Sequence, residues 1–418
     1  MNSPFPVSDG SLCVEGVACE AIAERFGTPV FAYSRRALEG AFRSLAAALA
    51  RRDHLICYAV KANSNLAILR LFARLGSGFD IVSGGELARV IAAGGEPSKV
   101  VFSGVGKSEQ EIRLGIEHGV LCFNVESEAE LARVAEVARS TGKDAPVSFR
   151  VNPDVDPRTH PYISTGLRNN KFGIPFDDAL RLYREAAAMP GIRVTGIDCH
   201  IGSQMLDLAP VREAVERMVG LVERLEREGI HLWHIDAGGG LGIRYRDEVA
   251  PEVEDYAAAI DAALGGRKEQ LLLEPGRWLV GNAGVLLTRV QYLKHGEARN
   301  FAVVDAAMND LLRPALYDAY HEIRETRVEG AARIYDVVGP VCESGDFLGQ
   351  SRLLHVAPGS LLAVMSAGAY AASMGSNYNT RPRSAEVLVD GGAVHLIAER
   401  ESLESLFSRE RIAPCLLD

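Results

Sequence analysis

A lysine, Lys61, ends the apolar run Leu55-Ile56-Cys57-Tyr58-Ala59-Val60 and is followed by the small residues Ala62 and Asn63. A lysine at the tip of a buried strand has a plain reading, a packed stem whose ammonium reaches water. It also has a chemical one: a lysine that forms a Schiff base attacks as the neutral amine, which partial desolvation favours. Three other stretches carry groups suited to that chemistry. DAGGGLG (236–242) places glycines after a strand, letting the backbone approach an anion such as a single phosphate. It is not a dinucleotide fingerprint, because Ile243 stands where the third glycine of G-x-G-x-x-G belongs. HIGSQ (200–204) offers Ser203 as a hydroxyl donor to the phosphate and His200 as a ring that can stack on a planar cofactor. EPGR (274–277) sets Glu274 and Arg277 around a Pro-Gly turn. They read either as a buried salt bridge or as a carboxylate facing the ring nitrogen of pyridoxal phosphate, which it keeps protonated so that the ring withdraws electrons.

These groups need a scaffold that gathers them. Apolar runs recur at 55–60, 78–83, 100–105, 121–126, 147–153, 194–202, 232–240 and 271–277. Amphipathic stretches such as SEAELARVAEVARS and APVREAVERMVGLVERLEREG separate them. Near-continuous apolar strands alternating with helices imply a parallel sheet covered on both faces. Eight such units close a (β/α)₈ TIM barrel, whereas an open doubly wound sheet gives no reason to stop at eight. In a barrel, chemistry collects at the C-terminal strand tips. Here the tips read Lys61, Asp80, Ser103, Asn124, Arg150 with Asn152, His200 with Ser203, Gly238 to Gly240, and Glu274 with Arg277.

After about residue 281 the pattern becomes strand-rich, in GVLLTRVQYLKH, NFAVVDA, RIYDVVGPVCES, LLAVMS and AEVLVDGGAVHLI. The expected organisation is an N-terminal segment (1–35), a barrel (36–281) and a mostly β C-terminal domain (282–418). PVFAYS (29–34) reads as a strand that joins the C-terminal sheet.

Composition narrows the function classes. At 418 residues, 47% hydrophobic and 24% charged, the chain has material for two large domains. A net charge of −10 without a basic block argues against nucleic acid or an anionic membrane as partner. Seven scattered cysteines without C-x-x-C indicate neither a disulfide framework nor a zinc site, and no metal is expected. The N-terminus lacks a secretory pattern and no apolar run is long enough to span a membrane, so the expected location is the cytoplasm.

The stretches YAVKAN (58–63), GFDIVSGGEL (78–87), FRVNP (149–153), HPYISTGLRNNKFGI (160–174), CHIGSQ (199–204), DAGGGLG, EPGR, CESGDFL (342–348) and AYAASMGSNYN (369–379) carry a resemblance over nearly the whole chain. It resembles the alanine-racemase-like barrel class of pyridoxal-phosphate decarboxylases. HPYISTGL with NKFGI, and CESGDFL, point to the diaminopimelate decarboxylase branch rather than the ornithine or arginine branches.

The resemblance implies decarboxylation of meso-2,6-diaminopimelate to L-lysine and CO₂, the last step of lysine biosynthesis, with pyridoxal 5'-phosphate as cofactor. Lys61 would carry the cofactor as a Schiff base, Asp80 would lie beside it, His200 would stack on the ring and Glu274 would meet its nitrogen. Ser203, Gly239, Gly240, Gly276 and Arg277 would bind the phosphate region, with Tyr370 helping. Arg277, Arg313, Tyr317 and Tyr370 would grip the substrate. In a head-to-tail homodimer with shared sites, Cys342 would come from the second subunit as proton donor and Glu343 as the partner of the distal ammonium.

The residues alone leave other readings. Cys342 is also a plain buried thiol, with Glu343 and Asp346 placed to raise its pKa. Arg313 is also a helix cap or a partner for Asp318. A decarboxylase of ornithine, lysine or arginine and a non-catalytic homologue are the rival functions. A racemase on the same fold would place arginine where Glu274 stands.

Overall fold

The computed structural model of the chain describes residues 4–156 and 171–417. It comprises two compact units, Glu39–Val280 and, together, Met1–Leu38 with Gly281–Asp418.

In the first unit eight parallel strands run in chain order: His54–Ala59, Gly78–Ile81, Val100–Phe102, Cys122–Val125, Ala145–Asn152, Ile192–Asp198, His234–Asp236 and Gln270–Leu273. Each pairs with the next, and the last closes on the first through Leu271↔His54, Leu272↔Leu55 and Leu273↔Ile56. Closure rules out the open sheet. All eight strands fall within or against the apolar runs of the sequence. Their residues are almost all buried because helices cover the outer face while side chains such as Cys57, Val101, Cys122 and Leu272 pack together.

Local chemistry fixes where the covering helices begin. The side chains of Asn65, Ser83, Ser108 and Ser127 each accept a hydrogen bond from a backbone N–H in the first turn of the following helix. Ser108 and Glu111 form a reciprocal capping box. These caps sit shortly after strand ends, so the tip loops of the first four strands stay short and hold their residues at one rim.

The second unit is mostly sheet, as its strand-rich segments predict. Val30–Ser34 pairs antiparallel with Gly284–His295 and parallel with Ala385–Asp390, so PVFAYS supplies an interior strand to the C-terminal sheet. Alternate residues of these strands (Val30, Ala32, Val285, Leu287, Val387, Val389) share one core with Leu12 and Ile22. Each fully buried Val or Leu there contributes about 1.5–3 kcal/mol. Among the described residues no helix is long and apolar enough to cross a membrane. All seven cysteines are free thiols.

Candidate active site

Lys61 lies in the single turn Val60–Ala62 that follows the first barrel strand. Its Nζ donates to Asp80 Oδ2 at 2.6 Å. Asp80 sits on the neighbouring strand in register with Ala59, and its side chain is fully buried while that of Lys61 is 37% exposed. The lysine is thus anchored from below and reachable from above. His200 lies two residues beyond the sixth strand, and its Nδ1 accepts the Gly239 N–H at 3.1 Å. Burial, then the charges of Arg150 and Lys61, push its pKa well down, so the imidazole is neutral.

The glycine loop explains itself through close approach. Gly240 has φ +104°, and a Cβ there would lie 2.3 Å from the Gly202 carbonyl oxygen. A Cβ on Gly239 would lie 2.1 Å from the carbonyl oxygen of Glu274. Only glycines let DAGGG pack against both HIGSQ and EPGR. Gly276 opens the turn into the short helix Arg277–Val280. Arg277 ties the loops together, donating to Ser203 Oγ at 2.9 Å and to the Tyr245 hydroxyl at 2.8 Å. Tyr245 is a member that the sequence did not reveal. Lys61, Asp80, His200, Ser203, Gly239, Gly240, Glu274, Gly276 and Arg277 therefore gather at one rim of the barrel.

Beneath that rim is a feature missed from the sequence. Carboxylate oxygens of Asp198, Asp236 and Glu274 all lie within 4.8 Å of one another, and all three residues are buried. Asp198 and Asp236 end adjacent strands in direct register. The signal was present as the repeated Ile-Asp that ends both strands, in GIDCH and HIDAG. Asn124 Nδ2 reaches Ser103 at 3.1 Å and Glu274 Oε1 at 3.5 Å, and the Gly238 N–H satisfies Asp236 Oδ1 at 2.8 Å. Asp80 Oδ1, Asp198 Oδ1 and Asp236 Oδ2 are buried without a hydrogen-bond partner among the described residues. The nearby cations are already engaged, Lys61 with Asp80 and Arg150 with Glu126 at 3.5 Å. Burial and mutual repulsion push the carboxyls of Asp198 and Glu274 well up. A surplus of buried carboxyls that resist ionisation suits a bound group whose positive ring nitrogen would relieve their repulsion.

This surplus makes a stability prediction. Burial, with Asp80 adding and the Gly238 N–H opposing, pushes Asp236 up to about 7 from 3.8. Between those values the folded chain holds a proton that the unfolded chain releases. Stability is therefore full below the unfolded value and falls as pH rises through about 7. In cofactor-free protein, Asp236→Asn is expected to be increasingly more stable than the parent as pH is raised from 5 to 8. The gain is on the order of a few kcal/mol, followed as the difference in Tm; a difference independent of pH would refute it.

The second unit holds the remaining candidates. Arg313 opens the helix Arg313–Tyr317 and is 8% exposed. It neither caps that helix nor pairs with Asp318: its Nη1 donates to His321 Nε2 at 2.7 Å. Tyr370 is half-buried with φ +54°, an unusual conformation for a bulky residue. Cys342 and Glu343 are exposed, so the buried-thiol reading does not hold. Asp346, expected to act on the thiol, spends its carboxylate on the N–H groups of Met308 and Val341 at 2.6 and 2.8 Å. Glu343 accepts from the Tyr378 hydroxyl at 2.7 Å. Most of HPYISTGLRNNKFGI, residues 160–170, lies outside the described residues.

Comparison with known proteins follows the same lines. The family model of the pyridoxal binding domain of pyridoxal-dependent decarboxylases matches residues 35–281. Diaminopimelate decarboxylase of Pseudomonas aeruginosa is 58% identical over 98% of this chain and 99% of its own. Among solved structures, diaminopimelate decarboxylase of Helicobacter pylori complexed with L-lysine is 42% identical, with a TM-score of 0.91 over 93% of this chain and 98% of that one. Diaminopimelate decarboxylase from m. jannaschii in co-complex with L-lysine is 39% identical, with a TM-score of 0.95 over 100% of this chain and 99% of that one. With relatives this similar along its full length, and a barrel rim that suits a cationic cofactor, the chain belongs to the diaminopimelate decarboxylase family of pyridoxal-dependent decarboxylases.

Proposed function

We propose that the chain converts meso-2,6-diaminopimelate to L-lysine and CO₂ with pyridoxal 5'-phosphate as cofactor, closing lysine biosynthesis in the cytoplasm. One observation carries this reading: Lys61, neutral His200 and the carboxylate cluster around Glu274 converge at one barrel rim in a chain built like the diaminopimelate decarboxylases along its whole length.

When bound, the cofactor's protonated ring withdraws electrons from the substrate α-carbon as CO₂ leaves. Lys61 would attach the cofactor, and Asp80 holds its Nζ in place. Glu274 would meet the ring nitrogen and, with Asp198 and Asp236 close by, would supply the acidic surroundings that keep that nitrogen protonated. Three close carboxylates are also what a hard divalent cation would select; membership of a pyridoxal-dependent family favours the ring nitrogen. His200 would stack on the ring, and being neutral it would not oppose the ring's charge. Ser203, Gly239, Gly240, Gly276 and Arg277 would bind the phosphate region, with Tyr370 helping. Arg277, Arg313 and Tyr317 receive the substrate's carboxylates, for which guanidinium forks are the natural partners. Two copies form a homodimer with shared sites. The second copy supplies Cys342 to return a proton to the α-carbon and Glu343 to recognise the distal ammonium.

The test is CO₂ release by purified protein given pyridoxal phosphate and, separately, meso-diaminopimelate, L-ornithine, L-lysine and L-arginine. Release from diaminopimelate alone, with lysine as product, is expected. Release from one of the other three would keep the cofactor chemistry and overturn the roles of Arg313 and Glu343.

A further inference from the structure

His321 is fully buried and touches Arg313 across one turn of chain. The helix Arg313–Tyr317 stops at Asp318, whose φ of +51° reverses the backbone. That reversal returns residue 321 beneath residue 313. The imidazole then meets two groups of fixed polarity. Arg313 Nη1 lies 2.7 Å from Nε2, and the Met365 carbonyl oxygen lies 2.8 Å from Nδ1. A guanidinium only donates and a carbonyl only accepts. Both contacts are satisfied by one form alone, a neutral imidazole with its proton on Nδ1. The ring is held by rigid structure. Met365 follows the strand Leu361–Val364, and its N–H bonds the Glu322 carbonyl at 2.8 Å. The carbonyl of His321 itself accepts from Arg352 Nη2 at 3.2 Å.

The choice of partner matters chemically. A carboxylate facing Arg313 would neutralise it and compete with any incoming anion. A neutral imidazole takes one N–H, fixes the plane of the fork and leaves the positive charge intact. We propose that His321 is the positioning residue for Arg313, holding its guanidinium ready for a carboxylate of the substrate through the Met365–His321–Arg313 chain of hydrogen bonds. This rests on the proposed assignment of Arg313 to substrate binding.

The experiment uses full-length protein loaded with pyridoxal phosphate. His321→Asn keeps an N–H near the place of Nδ1 for Met365 but is too short to reach Arg313. His321→Gln extends an acceptor to the position of Nε2. His321→Asn is expected to raise KM for diaminopimelate about 10- to 100-fold, the worth of a hydrogen bond to a charged group, with kcat changed less than about threefold. His321→Gln is expected to restore most of the loss. In an Arg313→Ala background His321→Asn should add less than about twofold, because both changes remove one interaction. An unchanged KM, or effects of His321→Asn and Arg313→Ala that multiply, would overturn the proposal. If Arg313→Ala alone leaves KM unchanged, it is the substrate assignment of Arg313 that fails. A melting temperature within a few degrees of the parent separates positioning from folding; should His321→Asn unfold, the same cycle run with His321→Gln decides by whether coupling to Arg313 persists.

Discussion

Lys61→Ala is expected to abolish the visible absorption band of the bound cofactor and to lower decarboxylation by at least about 10³-fold, the scale seen when a covalent catalytic group is removed. The expectation follows from placement. Lys61 Nζ sits 2.6 Å from the buried Asp80 on the next strand, so its position is fixed to within the freedom of one ion pair. A side chain that merely carried charge to water would not need a fully buried partner. Removing it also strands Asp80, already beside other buried carboxylates, and so costs stability in the cofactor-free protein. Lys61→Ala combined with Asp80→Asn relieves that cost without restoring the band. Absorbance spectra of the two variants, taken with added pyridoxal phosphate, check this directly. A parent-like spectrum in either would remove Lys61 from the cofactor and with it the proposed chemistry.

The parts of this site that the sequence displays are those where one strand speaks for itself. Apolar runs mark the barrel strands because both faces of a parallel sheet are covered, and the residue ending each run lands at the rim. Lys61, His200, Glu274 and the glycine loop were legible for that reason. Asp198 and Asp236 were not, because each looks like an ordinary strand-end aspartate until the register sets them side by side. Tyr245 joins Arg277 from 32 residues away, a contact that no local pattern encodes. His321 is a harder case. Eight residues on from Arg313 it would lie about 12 Å along a continuous helix, out of reach, and only the backbone reversal at Asp318 makes them neighbours. The buried-thiol alternative for Cys342 fails for a related reason. Thiols are usually buried, and Asp346 follows four residues on, yet its carboxylate is claimed by Met308 and Val341.

The exposure of Cys342 leads to the second large effect. The loop that carries it is well fastened: Asp346 grips Val341, Asn379 Oδ1 accepts the Cys342 N–H at 2.9 Å, and Tyr378 bonds Glu343. An exposed thiol on a fixed loop is what one copy would present to another. If each site takes Lys61 and Arg313 from one subunit and Cys342 from the second, then Cys342→Ala and Arg313→Ala proteins, each nearly inactive, should complement when mixed. Random reassortment puts half of the dimers in the mixed state, and each has one intact site of two. Activity should then rise to about a quarter of the parent's, since a symmetric dimer carries two equivalent sites. Mixing after brief dissociation and renaturation, with activity followed against the ratio of the two variants, gives a curve that peaks at equal amounts. If both groups belonged to the same subunit's site, every mixed dimer would hold one intact pair only by way of a wild-type chain, and none is present. Activity would stay at the level of the singles at every ratio, which would return Cys342 and Glu343 to their own subunit and end the shared-site reading.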